Sequence, residues 1–248
     1  MMEPFFIKSL SSFSADIDNL ILLVTVLAGF WFVLAEVLFF WLIFRFRARA
    51  GVRAQYVTGK EKHLKRWIDI PHIFILICDV VIIVAAVQVW VRVKQTLPPA
   101  DETVRVIGQQ WVWTFVHPGA DKVLDTADDI AISDELHVVA NQTYHFQLES
   151  RDVLHSFFVP VFRLKQDAIP GRTIVGWFKP TAAGAHDILC AEMCGIGHGI
   201  MGARIVIETP EEHAAWVEAH SPVVDAEPAA STETPPAPET GSTSGSAH

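Results

Sequence analysis

The stretch HDILCAEMCGIGHGIMG, His186 to Gly202, decides how the rest of the chain is read. It places two thiols, an imidazole and a thioether within twelve residues, as Cys190, Cys194, His198 and Met201, in the spacing C-x3-C-x3-H-x2-M. Thiolate, imidazole and thioether are soft to borderline donors and together favour copper over hard cations. The interleaved glycines let one short loop turn tightly enough to wrap a metal. Two metal ions need a further strong donor, and His155, in DVLHSFFVP, is the candidate. Two cysteines four apart also fit a disulfide or half of a zinc site. A disulfide explains neither His198 nor Met201, and zinc has little use for a thioether.

Upstream of this stretch the chain reads as a membrane protein. Apolar residues make up 51% of its 248 residues, and the mean hydropathy is positive. Residues 1–16 form an outer segment without the basic and small-residue marks of a secretory signal. Residues 17–44 are almost wholly apolar, with Glu36 the one charge from Leu20 onward, and are long enough to cross the hydrocarbon core. Glu36 is costly in lipid and is expected to face a protein neighbour. Residues 45–66 carry Arg45, Arg47, Arg49, Arg53, Lys60, Lys62, Lys65 and Arg66, a basic loop that stays cytoplasmic. Residues 67–93 form a second span, bracketed by Trp67 and Trp90. Pro71 is expected near the start of this helix, where its missing N–H costs nothing. The two spans predict an antiparallel hairpin with both chain ends outside the cytoplasm. A net charge of −9 argues against nucleic acid as a partner.

The outer domain, residues 97–220, leaves the membrane at Leu97-Pro98-Pro99. Val104–Val116, Leu136–Val139, Tyr144–Leu148, Ser156–Val161, Thr173–Phe178 and Ala203–Ile207 are rich in β-branched and aromatic residues and are separated by Pro, Gly, Asp and Asn. This pattern predicts a β-sandwich or barrel. Asp121, Asp125, Asp128 and Asp129 have the composition of a calcium loop without the EF-hand order, which favours a solvated acidic hairpin. Thr209-Pro-Glu-Glu212 predicts a capped helix over residues 210–219. Residues 221–248 are Pro, Ala, Ser, Thr and Glu and cannot build a core. No C-x-x-C-H is present, so no haem is attached covalently.

The His186–Gly202 stretch resembles the CuA loop in subunit II of haem-copper cytochrome c oxidases. That family reads C-x-E-x-C-x3-H-x2-M, with a second histidine in an upstream V-L-H-S-[FW]. Here these are Cys190-Ala-Glu192-Met-Cys194 to Met201, and Val153-Leu154-His155-Ser156-Phe157. The resemblance runs over nearly the whole chain except the tail. It implies a cupredoxin-like Greek-key β-barrel on a transmembrane hairpin, and a binuclear copper centre. Cys190 and Cys194 would bridge the two ions, with His155 and His198 one on each. Met201 and the Glu192 carbonyl would be the weak axial donors. The Glu192 carboxylate would help hold magnesium at the border with subunit I, or close a salt bridge there. Trp111, in Gln109-Gln-Trp111-Val-Trp113, matches the tryptophan through which electrons enter, with Val112 where the family has Tyr. Spacing by two puts Trp111 and Trp113 on one side of a strand. Asp167, in Arg163–Arg172, would attract a basic cytochrome c or close a turn. Asp69 departs from the family's W-T-x-x-P, and Gly202 stands where many members have Pro.

The implied function is that of a bacterial inner-membrane, multi-pass oxidase subunit with its copper domain on the periplasmic side. It would take electrons from reduced cytochrome c and pass them to haem in subunit I for proton-pumping oxygen reduction. Partners would be subunit I, the other oxidase subunits and lipid. A copper-free quinol-oxidase subunit II predicts lost ligands, and none of the six positions is lost. A membrane-anchored copper-binding or assembly protein acting alone gives Glu192 and Trp111 no partner to serve.

Overall fold

A computed structural model describes residues 8–53 and 58–222. Residues 1–7 of the outer segment, 54–57 of the basic loop and the tail from 223 onward lie outside the described residues. Two long helices come first, α1 (Ser14–Arg45) and α2 (Lys62–Trp90), the latter continued by one wider turn over Val91–Gln95. None of the most apolar 18-residue stretch of either helix is buried. The core helix of a soluble protein hides one apolar face, whereas these two are apolar nearly all round and leave that surface exposed. That is the arrangement lipid requires. Arg92 binds Asp16 at 2.8 Å, and Trp31 Nε1 donates to Cys78 Sγ at 3.5 Å, so the helices run antiparallel.

One expectation about the spans changes. Pro71 sits inside α2, nine residues past Lys62, and not at its start. The basic residues before Trp67 continue the helix beyond the apolar run, so Pro71 breaks an interior backbone bond, which transmembrane helices tolerate. Glu36 is exposed on α1 and has no partner among the described residues.

The outer domain is a sandwich of two five-stranded sheets, the Greek-key barrel that the resemblance implies. One sheet contains β1 (Glu102–Gln109), β2 (Val112–His117), β3 (Ile130–Ser133), β5 (Tyr144–Ser150) and β8 (Ile174–Phe178), in the order β3-β2-β1-β5-β8. The other contains β4 (Glu135–Val139), β6 (His155–Val159), β7 (Leu164–Ala168), β9 (Gly184–Cys190) and β10 (Gly202–Glu208), in the order β4-β10-β9-β6-β7. Pairs β1–β5 and β4–β10 are parallel and the rest antiparallel. Residues alternate between a buried inner face and a partly exposed outer face, as in β2 and β5. Phe157 is the hub of the core, with Trp113 at 5.7 Å, Phe146 at 5.8 Å and Phe115 at 6.4 Å between ring centroids. Burying each such ring contributes about 1.5–3 kcal/mol.

The hairpin is fastened to this sandwich by backbone. Leu10 N donates to Val161 O, Ser12 N to Lys179 O, and Thr181 N to Leu10 O. Trp177 Nε1 donates to Val93 O at 3.0 Å while its ring packs edge-on against Phe13. Arg163 grips both oxygens of Asp18, at 2.7 and 3.1 Å.

Beyond the end of β10 lies α3 (Pro210–His220), started by the expected capping box of Thr209 and Glu212. Its Trp216 stacks on His137 at 4.3 Å and meets His117 edge-on at 4.9 Å. Glu208 bridges His137 Nδ1 at 2.8 Å and His213 Nδ1 at 2.9 Å. His117 is 1% exposed, and neither ring nitrogen has a hydrogen-bond partner. Burial, with the neighbouring His213 and His137, pushes its pKa from the ordinary 6.5 down to about 3. The unfolded chain therefore takes a proton below pH 6.5 that the folded chain refuses. The resulting stability is complete above about pH 6.5 and is lost as pH falls towards 3, by about 1.4 kcal/mol per pH unit. Denaturation of the detergent-solubilised chain at pH 7 and pH 4.5 is expected to show this loss. His117→Phe should flatten the dependence by roughly 2–3 kcal/mol over that interval; an unchanged slope rules the assignment out.

Candidate metal centre

Strand register brings the donors together. Antiparallel pairing of β6 with β9 sets Phe157 opposite Cys190. His155, the first residue of β6, thus lies beside Cys190, the last of β9. The chain then loops through residues 191–201 and returns along β9 as β10, with Gly202 opposite Leu189. Cys190 N donates to Met201 O, closing the base of the loop, and Ala191 N donates to Ser156 O.

Cys190 Sγ and Cys194 Sγ stand 3.8 Å apart. A disulfide requires about 2.05 Å, so these are two thiols facing one another. Cys190 Sγ lies 4.0 Å from His155 Nδ1 and 3.3 Å from the Glu192 carbonyl. Cys194 Sγ lies 3.6 Å from His198 Nδ1 and 3.7 Å from Met201 Sδ. Metal–sulfur and metal–nitrogen bonds of about 2.0–2.3 Å separate neighbouring tetrahedral donors by about 3.3–3.8 Å. The observed spacings are close to that range. The donors of His155, Cys190 and Cys194 lie within 4.8 Å of one another, a group that does not include His198. Each sulfur therefore has its own imidazole and its own weak donor, and the set fits two soft ions better than one. His155, Cys194 and Met201 are buried, which keeps water from the centre.

Burial pushes the Cys194 thiol up to about 11, with Cys190 adding in the same direction. Loading a metal must displace that proton, so affinity rises with pH.

Two residues outside the expected ligand set organise the centre. Asp152 Oδ1 is 2.8 Å from His155 Nε2 and accepts from Val153 N at 2.7 Å. Its Oδ2 accepts from Gln110 N at 2.7 Å. These bonds hold the Asp152 carboxyl below its usual range, against the opposing effect of burial. With Nε2 engaged by Asp152, the imidazole presents Nδ1 to the sulfur, the arrangement by which carboxylates orient metal-binding histidines. Gln110 in turn donates from Nε2 to Cys194 O at 2.8 Å. The i, i+3 spacing of Asp152 and His155 was the available signal for the first. For Gln110 the sequence carried no signal beyond its place before Trp111.

Trp111 also donates to Cys194 O, from Nε1 at 3.2 Å. It does not share a strand face with Trp113, contrary to expectation. Val104–Val116 is a hairpin whose turn falls at Gln110–Trp111, and a turn interrupts the alternation on which the expectation rested. Trp113 is fully buried, while Trp111 is 38% exposed and lies against the metal loop. A Cβ at Gly197 would come within 2.4 Å of the indole Cδ2, so this close approach needs glycine. Around Trp111 and the loop, Met193, Ile196 and Ile200 are 72%, 96% and 84% exposed. The Glu192 carboxylate has no hydrogen bond among the described residues.

Asp167 lies in β7 and accepts from Ser156 Oγ at 2.8 Å, a structural contact within the sheet. The carboxylates of the acidic loop are already engaged: Asp125 accepts from Arg105 through both oxygens, each at 2.9 Å, and Asp128 accepts from Thr126 Oγ1 and Asp121 N.

A family model for the cytochrome c oxidase subunit II periplasmic domain matches residues 120–209. The alternative cytochrome c oxidase subunit 2 of Bradyrhizobium diazoefficiens is 31% identical over 225 residues, covering 82% of this chain and 79% of that protein. Cytochrome c oxidase subunit 2 of Thermostichus vulcanus is 41% identical over 116 residues, covering 47% of this chain and 32% of that protein. The crystal structure of the periplasmic domain of subunit II of cytochrome oxidase from Bradyrhizobium japonicum is 30% identical, with a TM-score of 0.46, covering 50% of this chain and 96% of that one. A two-helix anchor, a two-sheet β-domain and a relative aligned over most of both chains agree: this chain belongs to the cytochrome c oxidase subunit II family, a membrane-anchored component of an oxidoreductase complex with its β-domain on the periplasmic side.

Proposed function

We propose that this chain receives electrons for a bacterial cytochrome c oxidase through a binuclear CuA centre held by His155, Cys190, Cys194, His198, Met201 and the Glu192 carbonyl. The observation that carries the reading is the assembled donor set, two facing thiols each with its own imidazole and weak donor. Bound there, the copper pair would supply a one-electron store shared over two ions, so that little rearrangement accompanies transfer.

The chain's own residues do the rest. Cys190 and Cys194 would hold the ions, and Asp152 fixes the direction of His155. Buried Met201, Cys194 and His155 keep water from the donors, and a pair of ions held by this set would carry electrons and make no bonds. Trp111, donating to the carbonyl of Cys194, offers a short route inward for an electron arriving from outside. The exposed Met193, Ile196 and Ile200 give a cytochrome c donor an apolar patch beside that route. The free Glu192 carboxylate suits magnesium at the border with subunit I, a hard cation that prefers oxygen. Subunit I would receive the electrons at its haem, where oxygen reduction and proton pumping take place. The basic loop after α1 orients the hairpin in the inner membrane with this domain in the periplasm.

The full chain, purified in detergent and loaded with copper, is expected to bind two ions and to give a mixed-valence spectrum. A purely mononuclear copper spectrum, or no copper at all, would falsify the reading. Cys194→Ser should abolish the binuclear signal while the sandwich keeps its circular dichroism. Asp152→Asn should keep both fold and copper stoichiometry but weaken copper affinity about 10–100-fold in a competition titration. Unchanged affinity would remove Asp152 from its orienting role.

A further inference from the structure

Lys65, His72 and Asp79 recur every seven residues along α2. Seven residues make about two turns, so the three share one side of the helix. That side is not the one packed on α1. The half-buried Leu27, Trp31 and Leu34 of α1 and Cys78, Ile82 and Ala85 of α2 mark the seam between the helices. Asp79 follows Cys78 and so points about 100° away from the seam.

Asp79 is exposed and makes no hydrogen bond or ion pair among the described residues. It lies thirteen residues from Arg66 and thirteen from Arg92. At about 1.5 Å per residue it is roughly 20 Å from each of these arginines, in the middle of the hydrocarbon layer. His72 Nδ1 bonds to Ile68 O within its own turn, which leaves the other ring nitrogen on the outward side. Ionisable groups at this depth almost always meet a polar partner on a neighbouring helix. A second copy of this chain does not supply one. Two-fold pairing through this face would set Asp79 against its own equivalent in a low dielectric.

We propose that the Lys65–His72–Asp79 side of α2 is the docking face for a transmembrane helix of another subunit, one that carries a hydrogen-bond donor or cationic side chain level with Asp79. The inference rests on the reading of the chain as an oxidase subunit and adds which side of the anchor the complex grips.

The test uses the full chain, affinity-tagged and expressed with the rest of its oxidase. Asp79→Leu should insert as well as the parent yet recover at least tenfold less of the other membrane subunits. Moving the carboxylate to the same depth but another side, in the double variant Asp79→Leu with Val81→Asp, should not restore recovery. Undiminished recovery with Asp79→Leu, restoration by the double variant, or a disulfide-linked homodimer of Asp79→Cys overturns the proposal. Copper content of the same preparations separates the two readings. Intact copper with lost subunits supports the docking face, whereas absent copper in the parent chain sinks the oxidase reading whatever the recovery.

Discussion

The pairing of β6 with β9 is the constraint on which the centre depends. It sets Phe157 against Cys190 and thereby brings His155 to the sulfurs. A slip of one residue would turn His155 to the other face of the sheet and remove it from the centre. The register is pinned from three sides. Phe157 fills the middle of the core, Ser156 is tied to Asp167 on β7, and β9 is paired along its other edge with β10. The hydrophobic core is therefore what places the first imidazole, and the loop glycines act only on the residues that follow Cys190.

The same strand joins the centre to the membrane. β6 begins at His155 and ends at Val159, a length of about 13 Å. The next residues, Pro160 to Arg163, carry the contacts that clamp α1: Val161 O accepts from Leu10, Phe162 O from Ser11, and Arg163 grips Asp18. Trp177 ties the end of α2 to the same region through Val93 O. Such a direct connection leaves few soft torsions between the donor cluster and the bilayer. An electron carrier that must hold a fixed distance to a neighbour in the membrane gains from that stiffness.

Much of this was legible in the sequence where the signal is local. The spans follow from long, largely apolar composition, and the loop donors from spacing within twelve residues. The helix Pro210–His220 follows from its capping box. What escaped is what depends on partners distant in the chain. The strand LKQDA of β7 is largely polar, and GAHDILC of β9 has no clear alternation; β7 is a strand because β6 offers it an edge, and β9 because it lies between β10 and β6. Trp111 and Trp113 read as one strand because nothing in their composition marks the turn before Val112. Gln110 is bonded to Cys194, eighty-four residues away, and no local pattern announces such a contact. Pro71 was misplaced because apolar composition marks the lipid boundary and not the end of a helix that continues into water.

The donor cluster stands assembled by the fold. His155 is oriented by Asp152, the Cys194 carbonyl is held by Gln110 and Trp111, and the loop base is closed by Cys190 and Met201. Those bonds engage backbone and remote ring atoms and leave the soft donor atoms facing one another. The arrangement is costly for charge: a thiolate in this buried place is disfavoured, which is why the Cys194 thiol is pushed up to about 11. A cation touching both sulfurs offsets that penalty. Uptake of a metal at the proposed centre would thus be coupled to loss of the thiol protons. A hard cation, preferring oxygen, gains little from two sulfurs and a thioether, so the same burial that opposes the bare thiolates also selects the soft ion that relieves them.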